Sequence, residues 1–247
     1  MALPQFIGHR GYSARAPENT LSALHAAADA GIAWVELDVQ CLGDGTPVIW
    51  HDTHVRRCSD GKGRLKELTL AEARQLDVGR WFDPRFEGER MATLKEALDV
   101  IAERGLGLNL EFKLDHRDEP SPLIDAVLPI LNGGLPRERL LLSSFSNDVL
   151  DEIRQRDKKA PLGILFSEEI PRDWLWDAER LEPESIHVDW RYMNEARARE
   201  IIEGGMALVC YTVNDPDRFN DWWDIGVTSV ISDDPLRFDR FTRALEN

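Results

Sequence analysis

Two acidic side chains lie two residues apart in a segment that otherwise has the sequence of a buried strand. The segment Trp34–Asp52 reads WVELDVQCLGDGTPVIWHD, and it begins with residues that favour the extended state. Alternate side chains of a strand point to the same face, so Glu36 and Asp38 lie side by side. Two like charges in such a strand repel each other and lose their hydration. A cation bound between them would offset both costs.

A third carboxylate is expected close to this pair. Glu111 lies near the predicted end of the next long strand, at the same end of the sheet as Glu36 and Asp38. These three residues offer only oxygen ligands, the set that suits Mg²⁺ or Ca²⁺ rather than zinc. The alternative is that each carboxylate pairs with a basic residue, for instance Glu111 with Lys113. The sequence predicts one divalent cation and leaves its identity open.

Two histidines and two basic residues surround the predicted cation site. His9 and His51 suit proton transfer, because the ordinary pKa of histidine lies near neutrality. Arg10 and Lys113 supply fixed positive charge, and arginine can bind a phosphate through two parallel hydrogen bonds. A hard cation, an acid–base pair and two positive side chains fit the stabilisation of a charged oxyanion, most naturally a phosphoryl group.

The chain that delivers His51 has the sequence of a hairpin. Asp44-Gly45 is a strong turn signal between two extended runs. With the turn centred between these two residues, paired positions have numbers that sum to 89. We therefore expect Asp38 to lie opposite His51, so that the returning strand brings the histidine to the carboxylate.

The remaining histidines are weaker candidates for the site. His25 lies within a predicted helix, and His54 and His116 lie in charged loops, so we interpret these three as packed or surface residues. His187 is different because, with Asp189, it repeats the two-apart polar pattern at the end of a later strand. We treat His187 as a residue that lines the pocket.

Short apolar runs alternate with amphipathic stretches along the whole chain. The predicted strands are Gln5–His9, Trp34–Val39, Leu106–Lys113, Leu140–Phe145, Leu162–Phe166, Ile186–Trp190, Ala207–Val213 and Thr228–Ser232. The predicted helices are Leu21–Ala30, Leu94–Arg104, Pro122–Leu131, Asn147–Asp157, Pro171–Leu181, Glu195–Glu203, Pro216–Asp224 and Pro235–Leu245. Eight β-then-α units favour an α/β fold, a closed (β/α)8 TIM barrel, over an open Rossmann-like sheet, whose Gly-rich fingerprint the sequence lacks.

Length and composition are those of one globular barrel domain spanning residues 1–247. An insertion follows the second strand, and residues 47–92 hold the hairpin return and the inserted segment. The composition, 43% hydrophobic and 30% charged residues, is that of a globular protein. The net charge of -15 argues against a nucleic acid partner. Three cysteines without CxxC spacing predict neither disulfides nor a zinc site. We expect a cytoplasmic protein with no stable membrane insertion, and the oligomeric state stays open.

Motifs that cover nearly the whole chain resemble those of the glycerophosphodiester phosphodiesterase family. In chain order they are HRGYSARAPENT (His9–Thr20), ELDVQ (Glu36–Gln40), PVIWHD (Pro47–Asp52), LEFK (Leu110–Lys113), SSFS (Ser143–Ser146), YTVN (Tyr211–Asn214) and ISDDP (Ile231–Pro235). Their combination and order are specific to that family and are not a general feature of barrels. The departures are small: Tyr211 stands where the family usually has Trp, and Ser232 stands where it usually has Thr.

The resemblance implies a distorted barrel that hydrolyses glycerophosphodiesters to sn-glycerol 3-phosphate and a free alcohol. The resemblance places the metal ligands at Glu36, Asp38 and Glu111. It places the acid–base histidines at His9 and His51, and the phosphate-binding cations at Arg10 and Lys113. In addition to His187, the pocket-lining candidates are Glu18, Phe145 and Tyr211. The resemblance leaves open the alcohol, the role of each histidine, and whether water or the substrate's own 2-hydroxyl attacks phosphorus.

Three other functions remain compatible with this sequence. A lysophospholipase D-like or phosphatidylinositol phospholipase C-like enzyme would use the same barrel. Long acyl chains require an exposed apolar rim, which the charged insertion RWFDPRFEGER is poorly suited to form. A protein that only binds glycerophosphodiesters would not need two acid–base histidines.

Overall fold

Eight parallel strands form a closed barrel in this protein, whose computed structural model describes residues 2–115 and 118–238. His116 therefore lies outside the described residues. The strands, including one that lies outside the barrel, are β1 (Phe6–Gly8), β2 (Trp34–Cys41), β3 (Pro47–Ile49), β4 (Gly107–Phe112), β5 (Leu140–Ser144), β6 (Leu162–Phe166), β7 (Ser185–Asp189), β8 (Ala207–Tyr211) and β9 (Ser229–Ser232). The fold predicted from the sequence is confirmed.

The order of the strands explains both the closure of the barrel and its distortion. The strands pair in the order β1-β9-β8-β7-β6-β5-β4-β2-β3, and a parallel pairing of β1 with β2 closes the ring. Among the described strands only β3 is antiparallel, and β2 is its one strand partner. Strand β1 is three residues long, so the barrel is closed by a short ladder on that side.

Helices follow the barrel strands where the sequence predicts them. They are α1 (Leu21–Asp29), α2 (Leu70–Ala73), α3 (Leu94–Arg104), α4 (Pro120–Leu131), α5 (Asn147–Arg156), α6 (Trp174–Leu181), α7 (Glu195–Glu203), α8 (Pro216–Phe219) and α9 (Asp221–Ile225). The predicted helix Pro216–Asp224 is two short helices separated by Asn220. Most of the predicted helix Pro235–Leu245 lies outside the described residues. None of the helices in the described part of the chain is long and apolar enough to cross a membrane.

Strand β2 divides its side chains between two environments. Val35, Leu37 and Val39 are fully buried in the apolar layer between the strands and the surrounding helices. Trp34 belongs to a second cluster, which it shares with Ile7 of the adjacent strand β1 and with Leu141, Val209 and Ile231 of β5, β8 and β9. The alternate positions of β2 therefore face the barrel interior, where Glu36 and Asp38 follow Trp34.

The predicted register of the hairpin is wrong by one residue. Val39 pairs with Ile49, so paired numbers sum to 88, and the carbonyl of Asp38 accepts a hydrogen bond from the amide of Trp50. The loop has three residues rather than two, with Gly45 in the left-handed conformation at φ +83°. A type I turn followed by a glycine in this conformation is the common three-residue hairpin loop. His51 therefore lies one position beyond the residue opposite Asp38.

The inserted segment has its own small hydrophobic core. Nine buried residues, from Leu42 and Val48 on the hairpin to Val78 and Met91, form a cluster separate from the two in the barrel. Helix α2 belongs to this segment and begins with a capping box between Thr69 and Glu72. The segment is thus a packed extension of the barrel, and its contact with β2 runs through the hairpin.

Replacing Gly45 by alanine should destabilise the protein through the backbone alone. A methyl group at this position would meet no atom within 4 Å, so the cost is that of the left-handed conformation, about 1–2 kcal/mol. Gly45→Asn should lose less, because asparagine tolerates this conformation. Urea unfolding of the two variants measures the difference, and a Gly45→Ala protein as stable as the unmodified chain would contradict the three-residue loop.

Candidate active site

Three carboxylates meet at the end of the barrel where the strands reach their carboxyl termini. Glu36 and Asp38 point inward from β2, and Glu111 points inward from β4, where it lies beside Asp38 in the ladder. All three are buried, and one oxygen atom from each lies within 4.8 Å of the others. The sequence prediction that Glu111 joins the pair is therefore confirmed by the register of two adjacent parallel strands.

Two cations contact this group from opposite sides. The Arg10 backbone N–H donates to Glu36 Oε2 at 3.0 Å, and Arg10 Nε lies 3.3 Å from Asp38 Oδ2. Lys113 Nζ lies 2.7 Å from Glu111 Oε1 and 3.7 Å from Asp38 Oδ1. Three buried carboxylates thus face two positive side chains. The structure contains the ion pairs that the sequence offered as the alternative to a cation, but they leave one negative charge in excess.

The excess charge appears in how these groups titrate. Burial, with repulsion from Asp38 and Glu111, raises the pKa of Glu36 well above its usual range. Burial also raises the pKa of Glu111 to about 7, although Lys113 opposes the change. Burial alone would raise the pKa of Asp38 as well, but Lys113 and Arg10 lower it below the ordinary value. The local field therefore favours one additional positive charge, which either a proton or a metal ion supplies.

Glu36 presents an unused oxygen to this space. Its Oε2 accepts the hydrogen bond from Arg10, whereas its buried Oε1 has no hydrogen-bond partner among the described residues. A buried carboxylate oxygen without a partner is costly. The donor set contains oxygen atoms only, without cysteine or histidine. Both observations fit a hard divalent cation held by Glu36, Asp38 and Glu111.

The loop after β1 has an unusual backbone that brings Arg10 to the carboxylates. Arg10 and Asn19 both have positive φ angles, 53° and 52°. The Asn19 amide donates to Asp38 Oδ2 at 2.8 Å, and its carbonyl oxygen accepts from the Asp38 backbone at 3.2 Å. Thr20 caps helix α1 by accepting from the amide of Ala23. The cap, the amide and the left-handed residues together fix the loop across the barrel mouth.

His9 is oriented by the aspartate that directly follows the last strand. Its Nδ1 lies 2.6 Å from Asp233 Oδ1, and its Nε2 lies 3.9 Å from Glu36 Oε2. Asp233 also accepts hydrogen bonds from Ser13 and Asn214. Burial would raise the pKa of Asp233, but the contact with His9 lowers it to about 2. The ring therefore presents Nε2 towards the acidic group while its other nitrogen is held by a carboxylate.

His51 has the same arrangement on the other side of the site. Its Nδ1 lies 2.6 Å from Oδ1 of Asp52, the next residue in the chain. Partial burial lowers the pKa of His51 below its usual value, against the opposing charge of Asp38. The buried amide of Gln40 contacts the carbonyl oxygens of Trp50, His51 and Asp52, at distances of 2.9–3.2 Å. This amide holds the return segment against the end of β2.

Sequence reasoning missed both of the aspartates that orient the histidines. Asp52 follows His51 directly, and Asp233 lies in the ISDDP motif, more than two hundred residues from His9. The adjacent pair in PVIWHD could have suggested the first contact. No local signal links Asp233 to His9, because that contact depends on the pairing of β1 with β9.

Two aromatic rings line the mouth of the barrel near Lys113. Phe145 is exposed and lies edge to face with Tyr211, with ring centres 6.0 Å apart. Lys113 Nζ lies 5.5 Å from the centre of the Phe145 ring. The Tyr211 hydroxyl donates to the carbonyl of Phe166 at 2.7 Å. The structure therefore brings Phe145 and Tyr211 together beside Lys113, and it uses the tyrosine hydroxyl for a contact with the backbone.

The other two pocket-lining candidates have different positions. Glu18 lies at the edge of the carboxylate group, where its Oε1 accepts from Arg10 Nη1 at 2.5 Å. His187 is fully buried inside the barrel, and its Nε2 lies 2.9 Å from Ser185 Oγ. Burial lowers the pKa of His187 to about 3, so this imidazole is neutral at physiological pH. His187 is thus a packed residue of the barrel interior.

Comparison with known proteins gives a consistent result. The family model described as the glycerophosphoryl diester phosphodiesterase family matches residues 9–237. A glycerophosphodiester phosphodiesterase of Caldanaerobacter subterraneus subsp. tengcongensis is 32% identical over 233 residues, with 93% of each chain covered. The family-model match begins at His9 and extends past the last barrel strand, so it includes every motif named above.

Solved structures agree with this assignment. A phosphodiesterase of Oleispira antarctica, determined in complex with the product sn-glycerol 3-phosphate, is 35% identical with a TM-score of 0.92. The alignment covers 99% of this chain and 98% of that one. The glycerophosphodiester phosphodiesterase of Thermotoga maritima is 29% identical with a TM-score of 0.79, covering 98% and 99%. The chain belongs to the glycerophosphoryl diester phosphodiesterase family and is an enzyme of the phosphoric diester hydrolase class.

Proposed function

We propose that this enzyme hydrolyses glycerophosphodiesters to sn-glycerol 3-phosphate and an alcohol by metal-assisted general acid–base catalysis. The observation that carries the proposal is the pair of histidine–aspartate contacts beside the acidic group. His9 and His51 each have Nδ1 held by a carboxylate at 2.6 Å, which leaves Nε2 of each ring for the substrate. Binding alone does not require two oriented imidazoles.

The metal proposal depends on charge and on the type of ligand. Glu36, Asp38 and Glu111 would hold Mg²⁺ or Ca²⁺, since they offer only oxygen atoms and carry one negative charge more than Arg10 and Lys113 neutralise. When bound, such an ion supplies electrostatic stabilisation of the charge that develops on the phosphate oxygens. The same ion would explain the unpaired Oε1 of Glu36.

Arg10 and Lys113 would bind the phosphate group of the substrate. Both side chains are mostly buried and keep a fraction of their surface accessible, 15% for Arg10 and 20% for Lys113. Burial would lower the pKa of Lys113, but Glu111 and Asp38 raise it, so the ammonium group is charged at neutral pH. Fixed cations in a partly dehydrated site stabilise developing charge without reorganising during the reaction.

We assign the base to His51 and the acid to His9. The lowered pKa of His51 favours its neutral form at neutral pH, which is the form that accepts a proton from the nucleophile. Asp52 would accept the Nδ1–H of the ring and stabilise the positive charge that forms on it. His9 would then donate its Nε2 proton to the departing alkoxide, and Asp233 would stabilise, at Nδ1, the doubly protonated ring from which that proton leaves.

A panel of diesters should separate this function from its alternatives. We expect turnover of glycerophosphocholine, glycerophosphoethanolamine and glycerophosphoinositol to be faster than that of lysophosphatidylcholine, with release of sn-glycerol 3-phosphate in a coupled assay. Among the described residues of the inserted segment, Trp81 is the one large apolar side chain that is exposed, and we expect this surface to be too small for a long acyl chain. Faster turnover of the lysolipid would favour a lysophospholipase D-like enzyme. The absence of turnover of every substrate in the panel would favour a binding protein.

Replacing His51 by alanine should lower kcat/KM for glycerophosphocholine by about 10²–10⁴-fold, the usual contribution of one acid–base group. The fold should survive, because the side chain is partly exposed and its hydrogen bond among the described contacts is to the neighbouring Asp52. His54→Ala is the matched control, since His54 lies three residues away with an exposed side chain. Equal turnover by the His51 and His54 variants would contradict the assigned role.

Adding Mg²⁺ or Ca²⁺ to enzyme stripped with EDTA should restore activity and raise Tm. At a concentration about 100 times Kd, a bound ion adds about 2.7 kcal/mol. For a chain of this length that corresponds to about 5–10 °C. Glu36→Gln should abolish the shift in Tm, whereas Glu87→Gln, an exposed carboxylate of the inserted segment, should retain it. A stripped enzyme with full activity and an unchanged Tm would exclude the metal.

A further inference from the structure

An arginine of the inserted segment joins two carboxylates at the edge of the site. Arg57 Nε lies 2.7 Å from Asp52 Oδ2, and Arg57 Nη2 lies 2.9 Å from Asp52 Oδ1. The same guanidinium donates from Nη1 to Glu18 Oε2 and from Nη2 to Glu18 Oε1, both at 2.7 Å. Each carboxylate is therefore held through two oxygens, which fixes its plane as well as its position.

The two carboxylates lead to opposite halves of the catalytic group. Asp52 holds Nδ1 of His51, and Glu18 holds the guanidinium of Arg10. A continuous series of ionic contacts therefore connects His51 with Arg10, and Arg57 is its central member. Arg57 itself touches neither the acidic group nor the space in front of it in any described contact. Its influence on the reaction must pass through Asp52 and Glu18.

Several features distinguish this contact from an ordinary surface ion pair. The Arg57 side chain is 46% exposed, but Glu18 is only 14% exposed and also contacts Arg10. Burial would raise the pKa of Glu18 and of Asp52, yet hydrogen bonds from Arg57 lower both, that of Asp52 to about 2. A single surface pair contributes little. Here one planar cation contacts two carboxylates, each of which orients a residue of the site.

We propose that Arg57 is a positioning residue, which fixes the His51 imidazole through Asp52 and fixes Arg10 through Glu18. The inference rests on the proposed function in so far as His51 is a catalytic residue. It assigns a task to the inserted segment, which supplies His51 and also the arginine that fixes the aspartate beside it. Residues that orient the ligands of a metal site through such contacts contribute about 10–100-fold to activity, and we expect an effect of the same size here.

Arg57→Gln should lower kcat for glycerophosphocholine by about 10–100-fold, with KM changed far less. Arg10 loses the support of Arg57 but keeps its contacts with Glu36 and Asp38, so substrate affinity changes less than the orientation of the histidine. Arg57→Lys should recover only part of the loss, because an ammonium group cannot hold two carboxylates in one plane. Arg80→Gln is the control, since Arg80 lies in the same segment and pairs only with the exposed Glu87 among the described contacts.

A double-mutant cycle tests whether the effect passes through Asp52. In an Asp52→Asn background, Arg57→Gln should cost about twofold or less, because the contact that it would remove has already been weakened. The same fold-loss in both backgrounds would overturn the proposed route. Circular dichroism and Tm of each variant establish that folded protein is being compared.

A spectroscopic measurement makes the proposal testable without turnover. At mildly alkaline pH, where the imidazole is neutral, ¹⁵N chemical shifts identify the protonated ring nitrogen, and His51→Ala assigns the signals. We expect one tautomer, protonated at Nδ1, in the unmodified enzyme and an averaged signal in Arg57→Gln. Unchanged shifts together with unchanged kcat would overturn the positioning role.

The two proposals fail in different ways. If the unmodified enzyme turns over no diester but the shifts change as expected, the proposed function fails and the positioning of His51 stands. If the unmodified enzyme is active and Arg57→Gln matches Arg80→Gln in kcat and in ring shifts, the proposed function stands and the role of Arg57 fails.

Discussion

The structure depends on the burial of three carboxylates at the mouth of one barrel. Glu36, Asp38 and Glu111 lose their hydration and repel one another, and two cations do not neutralise them. Such an arrangement is stable only if the surrounding backbone is fixed and if a further positive charge can enter. The barrel meets the first requirement, because β2 and β4 are adjacent parallel strands with every ladder position paired.

Most of the other unusual features around the mouth serve this group of charges. Arg10 adopts a positive φ so that its backbone amide and its guanidinium reach two different carboxylates. Asn19, also left-handed, uses both ends of its amide on Asp38. Backbone conformations of this kind cost about 1–3 kcal/mol each and persist where the surroundings over-determine them. Here the contacts of Arg10 and Asn19 with the buried carboxylates hold both residues in the left-handed conformation.

The fold and the composition of the site were accessible from the sequence, whereas its finer contacts were not. The alternation of eight strands and helices predicted the barrel, and the position of Glu36, Asp38 and Glu111 on neighbouring strands predicted their cluster.

The register of the hairpin was wrong by one residue, because the Asp44-Gly45 signal fits both a two-residue and a three-residue loop. Gly45 has a positive φ in both loops, but Asp44 would also need one in the two-residue turn and does not have it here. The residue types do not give that angle. His187 has the spacing of a pocket residue, but it is fully buried inside the barrel, and its spacing alone does not give that depth. The contact of His9 with Asp233 joins the two ends of the chain, and no local pattern encodes it.

The separate hydrophobic core of the inserted segment has a consequence for how the enzyme loses activity. His51 and Arg57 belong to a unit whose apolar residues pack with one another, apart from the two clusters of the barrel. Partial opening of a protein follows such units, at a free energy below that of global unfolding. Ile49 of β3 packs in the barrel core, so mild denaturation would open the segment that follows β3, with His51 and Arg57, while the eight strands stay paired. Under those conditions the loss of activity precedes the loss of secondary structure, and the enzyme is catalytically inactive although its barrel is intact.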